Sequence, residues 1–118
     1  MQKGSNKKIL YVEDEPLTRE LTVKLLRRFF PNIYAAADGA AAVDIFKKEN
    51  IDILITDLSL PNMSGFELIE EIRSLNPDFP IIITTAYREQ ADNLDNVRVV
   101  YKPVSIDKLY QALLEISE

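Results

Sequence analysis

The stretch IDILITDLSLPNMSG, residues 51–65, joins an apolar run to a turn through one aspartate, Asp57. Ile53–Thr56 is apolar and mostly β-branched, without alternation. That is the pattern of a strand covered on both faces of a parallel sheet. Beyond Asp57 come Ser59, Pro61, Asn62, Ser64 and Gly65, all turn formers. The stretch alone leaves two readings open. Asp57 is a surface turn residue, or it is a carboxylate held at the tip of a buried strand to do chemistry.

Similar runs recur on either side: Ile9–Val12, Ile81–Thr84, Val97–Tyr101 and a weaker Ile33–Ala37. Helical patterns separate them. Pro16–Phe30 opens with proline at an early helical position and stops before Pro31; its buried stripe is expected to be Leu17, Leu21, Leu25 and Phe29. Ala40–Glu49 is expected to bury Val43 and Phe46, and Ser64–Leu75 to bury Ile69 and Ile72. Ser105–Ile116 starts on a serine cap and repeats Ile106, Leu109, Leu113 and Ile116. Strand and helix in alternation imply right-handed crossovers and a parallel sheet with helices on both faces. No linker, repeat or low-complexity segment divides the chain. One domain is expected over residues 8–118, after a loose polar segment at residues 1–7.

Composition narrows the chemistry. The 118 residues are 47% hydrophobic and 28% charged, an ordinary globular balance. Cysteine and histidine are both absent, which excludes disulfides, thiolate or imidazole metal ligands and His-based catalysis. A metal site must use oxygen, which favours Mg, Ca or Mn. The net charge of −5 disfavours binding to nucleic acid phosphates. No apolar run approaches membrane length, and a cytoplasmic protein is expected. The three glycines, Gly4, Gly39 and Gly65, form no phosphate-cradling cluster, so a flavin or dinucleotide site lacks support.

In doubly wound sheets, ligands bind beyond the carboxyl ends of the strands. The first run is followed by Glu13, Asp14 and Glu15, and the third by Asp57. The fourth leads into Thr84, Thr85 and Ala86, the fifth into Lys102 and Pro103. Gathering Glu13, Asp14 and Asp57 on one rim is costly. Two unit charges ~5 Å apart repel by about 3 kcal/mol at an effective dielectric of about 20. A divalent cation relieves that, and Mg²⁺ suits a site of few carboxylates that also takes phosphate oxygens. Lys102 adds a compact positive charge, and a threonine hydroxyl an uncharged hydrogen bond. Taken singly, each has a plainer role. Glu13 and Asp14 suit a helix N-terminus, as Glu15 does, and Lys102 could be a solvated lysine.

Taken together, VEDE (12–15), DLSLPNMSG (57–65), TTA (84–86) and YKP (101–103), in order and each at a strand end, resemble the response-regulator receiver domain. The resemblance covers nearly all of Lys8 to Ile116. It implies a flavodoxin-like α/β fold, five parallel strands in the order 2-1-3-4-5 with helices on both faces. It implies that Asp57 is a phosphoacceptor, a nucleophile that forms an acyl phosphate. It implies Mg²⁺ held by Asp14 directly, by Glu13 through water, by Asp57 and by the backbone carbonyl of Ser59. Thr85 matches the switch hydroxyl and Lys102 the family lysine, whose bond to Pro103 is often cis in relatives. The implied partners are a histidine kinase or phosphotransfer protein as donor, and an output partner or fused domain that the sequence does not identify.

Two departures from the family pattern stand out. Val99 occupies the position three before the lysine where relatives often carry Tyr or Phe; Tyr101 shares its strand face by alternation. Only sixteen residues separate Thr85 from Lys102, and ADNLDN (91–96) is a poor helix interior. The helix between the fourth and fifth strands is therefore expected to be short or irregular, and Tyr87–Asn96 to be the most mobile segment. Two other functions compete. An adaptor that only binds proteins is opposed by the complete Asp, Glu, Thr and Lys set. An aspartate-nucleophile phosphatase commonly needs a second aspartate two positions after the first, where this chain has Ser59.

Overall fold

The structure is a computed structural model that describes residues 6–87 and 95–117. Its elements are β1 (Ile9–Val12), α1 (Pro16–Leu26), β2 (Ile33–Ala36), α2 (Gly39–Lys48), β3 (Ile53–Asp57), α3 (Gly65–Leu75), β4 (Ile81–Thr85), β5 (Val97–Tyr101) and α4 (Ile106–Ser117). The five strands form one sheet in the order β2-β1-β3-β4-β5, and every pairing is parallel. This is the doubly wound fold that the alternating runs imply. The helix expected between β4 and β5, and the mobility expected of residues 87–96, fall mainly on residues 88–94 and lie outside the described residues. So do residues 1–5 of the expected loose segment. Among the described residues, no helix is long and apolar enough to cross a membrane.

Each strand sends alternate side chains to opposite faces, so an unbroken apolar run feeds two cores. Ile9 and Tyr11 of β1 join Ile55, Ile82, Leu26, Leu109 and Leu113 on the α1/α4 face. Leu10 and Val12 join Leu54, Ile81, Ile83, Leu68 and Ile72 on the α2/α3 face. Tyr110 seals the first core, with its ring edge-on to Phe29 at 5.0 Å. Phe46 and Phe79 meet likewise at 5.0 Å in the second.

Of the stripe expected on α1, Phe29 packs against the core but the three leucines are corrected. Leu17 and Leu21 are 61% and 52% exposed, and Leu25 is exposed at 36%. The buried row is Val23 and Leu26, continued by Phe30 beyond the helix. The helix also ends at Leu26 rather than Phe30: Phe29 and Phe30 both donate their amides to Leu26 O, in a tight turn. Two apolar rows at helical spacing run along this segment, and the sheet can cover only one. Leu26→Ala is therefore expected to cost about 2–5 kcal/mol. Leu21→Ala should stay within about 0.5 kcal/mol. Urea unfolding of the two variants checks the phase; equal losses would contradict it.

Candidate functional site

The sheet order builds the site. β1 and β3 are neighbours with Val12 opposite Thr56, so the residues leaving β1 emerge beside Asp57. β3 runs one residue past its apolar stretch, and Asp57 is its last member, opposite Thr84 of β4. Glu13 and Asp57 are buried, at 3% and 5% exposure, while Asp14 faces solvent. One carboxylate oxygen from each of the three lies within 4.8 Å of the others.

Lys102 arrives from β5, with β4 between it and β3. Its long side chain spans β4, placing Nζ 2.5 Å from Asp57 Oδ2 and 3.6 Å from Glu13 Oε1. Its own amide donates to Thr85 O at 2.8 Å. The Lys102–Pro103 peptide is cis. The other oxygen of Asp57, Oδ1, accepts the Ser59 amide at 3.0 Å. Both carboxylate oxygens are thus engaged, one by a cation and one by the loop that follows. Ser59 enters this geometry through its amide.

Burial raises the Glu13 carboxyl above its ordinary range, assisted by the Asp57 charge and opposed by the Glu15 amide and by Lys102. The Glu15 amide donates to Glu13 Oε2 at 3.1 Å. Burial works against the Lys102 ammonium, but hydrogen bonding to Asp57 and the charges of Asp57 and Glu13 outweigh it and raise the pKa. A lysine between two buried acids is what a pair of charges taken out of water requires.

Thr85 ends β4 and is buried. Its Oγ1 accepts the Tyr87 amide at 3.1 Å, and its hydroxyl also lies 3.3 Å from Tyr87 O. The hydroxyl thereby ties down the start of the loop after β4. Val99 lies opposite Ile83 and is packed against the α2/α3 core.

Arg19 escaped the sequence reading, and Glu15 and Gly65, which it named as a helix-start acid and a turn former, make contacts that it did not specify. Glu15 is the N-cap of α1, and its carboxylate accepts the Thr18 amide at 2.7 Å. Arg19 reaches back from α1 to the carbonyls of Glu13 and Asp14, at 2.8 and 3.3 Å. Gly65 donates its amide to Leu58 O at 2.9 Å, closing the loop after Asp57 against the strand. Glu15 is legible as a capping type, but the other two contacts go to backbone, which the sequence does not mark. A groove of about 400 Å³, lined by Glu13, Thr18, Thr22, Lys102 and Val104, opens beside the cluster. A larger cavity of about 440 Å³, between Asp78, Asn96 and Glu115, lies at the other end of the strands and shares none of these side chains.

The chemistry of this donor set fits a hard divalent cation, since three carboxylates converge with no nitrogen or sulfur ligand near. The family described as "Response regulator receiver domain" matches residues 9–114. The probable transcriptional regulatory protein TcrX of Mycobacterium tuberculosis is 32% identical over 86% of this chain and 45% of its own length. Sporulation initiation phosphotransferase F of Bacillus subtilis is 30% identical over 92% of this chain and 91% of its own. Among solved structures, the response regulator TrrA of Thermotoga maritima, in complex with Mg(2+)-BeF, superposes with a TM-score of 0.80 at 34% identity. That match covers 93% of this chain and 98% of the other. The chain spans less than half the length of TcrX.

Proposed function

The chain belongs to the response regulator receiver family, and from that premise we propose that it is a phosphorylation-dependent signalling switch whose acceptor is Asp57. The supporting observation is the position of that carboxylate. It ends a buried strand, within 4.8 Å of Glu13 and Asp14, and 2.5 Å from the Lys102 ammonium.

Asp57 attacks the phosphorus of a donor. An Asp57 O–P bond forms, the bond from phosphorus to the donor atom breaks, and that atom leaves with the electron pair. Phosphoryl transfer asks mainly for positioning and charge neutralisation. The Ser59 amide and Lys102 hold the carboxylate in one orientation before the donor arrives. Lys102 is then free to turn its charge toward the phosphoryl oxygens. Asp14, Asp57, the Ser59 carbonyl and Glu13 (through water) would hold Mg²⁺, which supplies the positive charge that offsets those oxygens. Thr85 exchanges its Tyr87 partner for a phosphoryl oxygen, so residues 85–87 move together with the loop after Asp57, with little change of rotamer at Val99. A phosphoryl group biases a conformation only through such differential contacts. In this reading the donor is a histidine kinase or phosphotransfer protein in the cytoplasm. The chain catalyses only its own phosphorylation and dephosphorylation, and an output partner or fused domain reads the change.

Incubation with acetyl phosphate and Mg²⁺ should add the mass of one phosphoryl group to the intact protein, and a chelator should prevent it. No adduct at millimolar Mg²⁺ would overturn the proposal. Asp14→Ala should weaken Mg²⁺ more than Glu13→Ala, because Asp14 is assigned direct contact and Glu13 contact through water. Calorimetric titration ranks the two variants, and the reverse order would exchange their roles.

A further inference from the structure

Arg19 lies in the first turns of α1, where side chains lean toward the helix N-terminus. Its backbone amide bonds Glu15 O at 3.0 Å. Its guanidinium reaches further back, and one nitrogen, Nη1, donates to Glu13 O at 2.8 Å and to Asp14 O at 3.3 Å. These carbonyls belong to the two peptide planes that flank the Asp14 Cα. Tethering both planes to one nitrogen restricts φ and ψ at Asp14, and with them the direction of its Cα–Cβ bond. That restriction matters at this residue. Glu13 is buried and Asp57 is held by Ser59 and Lys102, but Asp14 faces solvent. Apart from a contact with the Glu13 carboxyl, its direction is set by the backbone beneath it.

We propose that Arg19 is a positioning residue that aims the Asp14 carboxylate at the acceptor site by clamping the two carbonyls around it. The inference rests on the reading of Glu13, Asp14 and Asp57 as metal ligands, but it concerns a residue that touches neither metal nor phosphoryl group. Partners of this outer kind typically change metal affinity by about 10–100-fold when removed. The guanidinium is suited to the task because its donors are rigidly arranged and it stays charged at all working pH values.

Charge and positioning predict opposite signs, which makes the test decisive. Removing a cation near a cation site should tighten metal binding by simple electrostatics. Loss of the clamp should weaken it. Mn²⁺ affinity, read from the electron paramagnetic resonance of free Mn²⁺, is to be compared in wild type, Arg19→Gln and Arg19→Lys. Arg19→Gln should bind Mn²⁺ about 10-fold or more weakly. Arg19→Lys, which keeps the charge and can reach one carbonyl, should fall between. In metal-free protein, amide exchange at Glu13–Glu15 should quicken in Arg19→Gln while Ile55–Asp57 stays protected, which separates a loosened loop from general unfolding. In an Asp14→Ala background, Arg19→Gln should change the residual affinity less than about twofold, because the clamped group is gone; comparable loss in both backgrounds would overturn the inference. Unchanged or tighter binding by Arg19→Gln would overturn it alone. No Mn²⁺ binding by wild type would overturn the metal assignment and this inference together.

Discussion

Asp57→Asn is expected to take up no phosphoryl group from acetyl phosphate, although the variant should fold as the wild type does. The change replaces one carboxylate oxygen by an NH₂ and removes the charge that makes the group a nucleophile. Its shape is nearly unaltered, so the amide oxygen can still accept the Ser59 N–H that Asp57 Oδ1 accepts now. Glu13, Asp14 and Glu15 remain in place as rival carboxylates, which makes the experiment a test of position rather than of acidity. Glu13 is buried beside Lys102 but points from the end of β1, and Asp14 and Glu15 are exposed. Intact mass after incubation with Mg²⁺ and acetyl phosphate gives the answer. Full incorporation in the variant would move the acceptor to another residue.

Gly65→Ala should be among the most damaging single-methyl additions available to this fold. A Cβ at Gly65 would lie 2.3 Å from Asp57 O and 2.6 Å from Leu58 Cα. Both are backbone atoms, which cannot swing aside as a side chain can. The backbone angles of Gly65 lie outside the left-handed region, so lack of space is the constraint. Gly65 is also the first residue of α3, behind a reciprocal cap between Ser64 and Glu67, and its amide bonds Leu58 O. Relief requires the end of β3 or the start of α3 to shift, and the first of these carries Asp57. A loss of more than about 3 kcal/mol is expected, in the tail reserved for backbone clashes and core disruption. Ser64→Ala, which removes only the cap, should cost about 1 kcal/mol. Gly39→Ala is a useful contrast. Its Cβ would meet Met63 Sδ at 2.8 Å and Met63 Cβ at 2.9 Å; the sulfur can turn aside, but the Cβ moves only with the loop that carries it. No strand-end backbone atom is in the way, so this change should cost less than Gly65→Ala. Urea unfolding of the three variants tests the order. Wild-type stability and full phosphorylation of Gly65→Ala would show that the loop has more room than its geometry implies.

Sequence alone determined the strand and helix alternation, the parallel sheet and the residues at the strand ends. Ile9–Val12, Ile53–Thr56 and Ile81–Thr84 are unbroken apolar runs because both sides of each strand are covered, and helical patterns between them make the covered sheet a parallel one. Once the sheet is parallel, the carboxyl ends of all strands share one rim. Glu13, Asp14, Asp57, Thr85 and Lys102 could therefore be grouped without coordinates. The tertiary structure decided what periodicity and residue type do not encode. α1 carries two apolar rows, and only its seat on the sheet selected Val23 and Leu26 over Leu17 and Leu21. Lys102 faces Asp57 because a single strand, β4, separates β5 from β3, a span that a lysine side chain crosses; that is a fact of strand order rather than of local sequence. Arg19 and Gly65 act on backbone atoms, through carbonyls in one case and excluded volume in the other. Every residue offers the same backbone, so no pattern of side chains announces such a contact before the chain has folded.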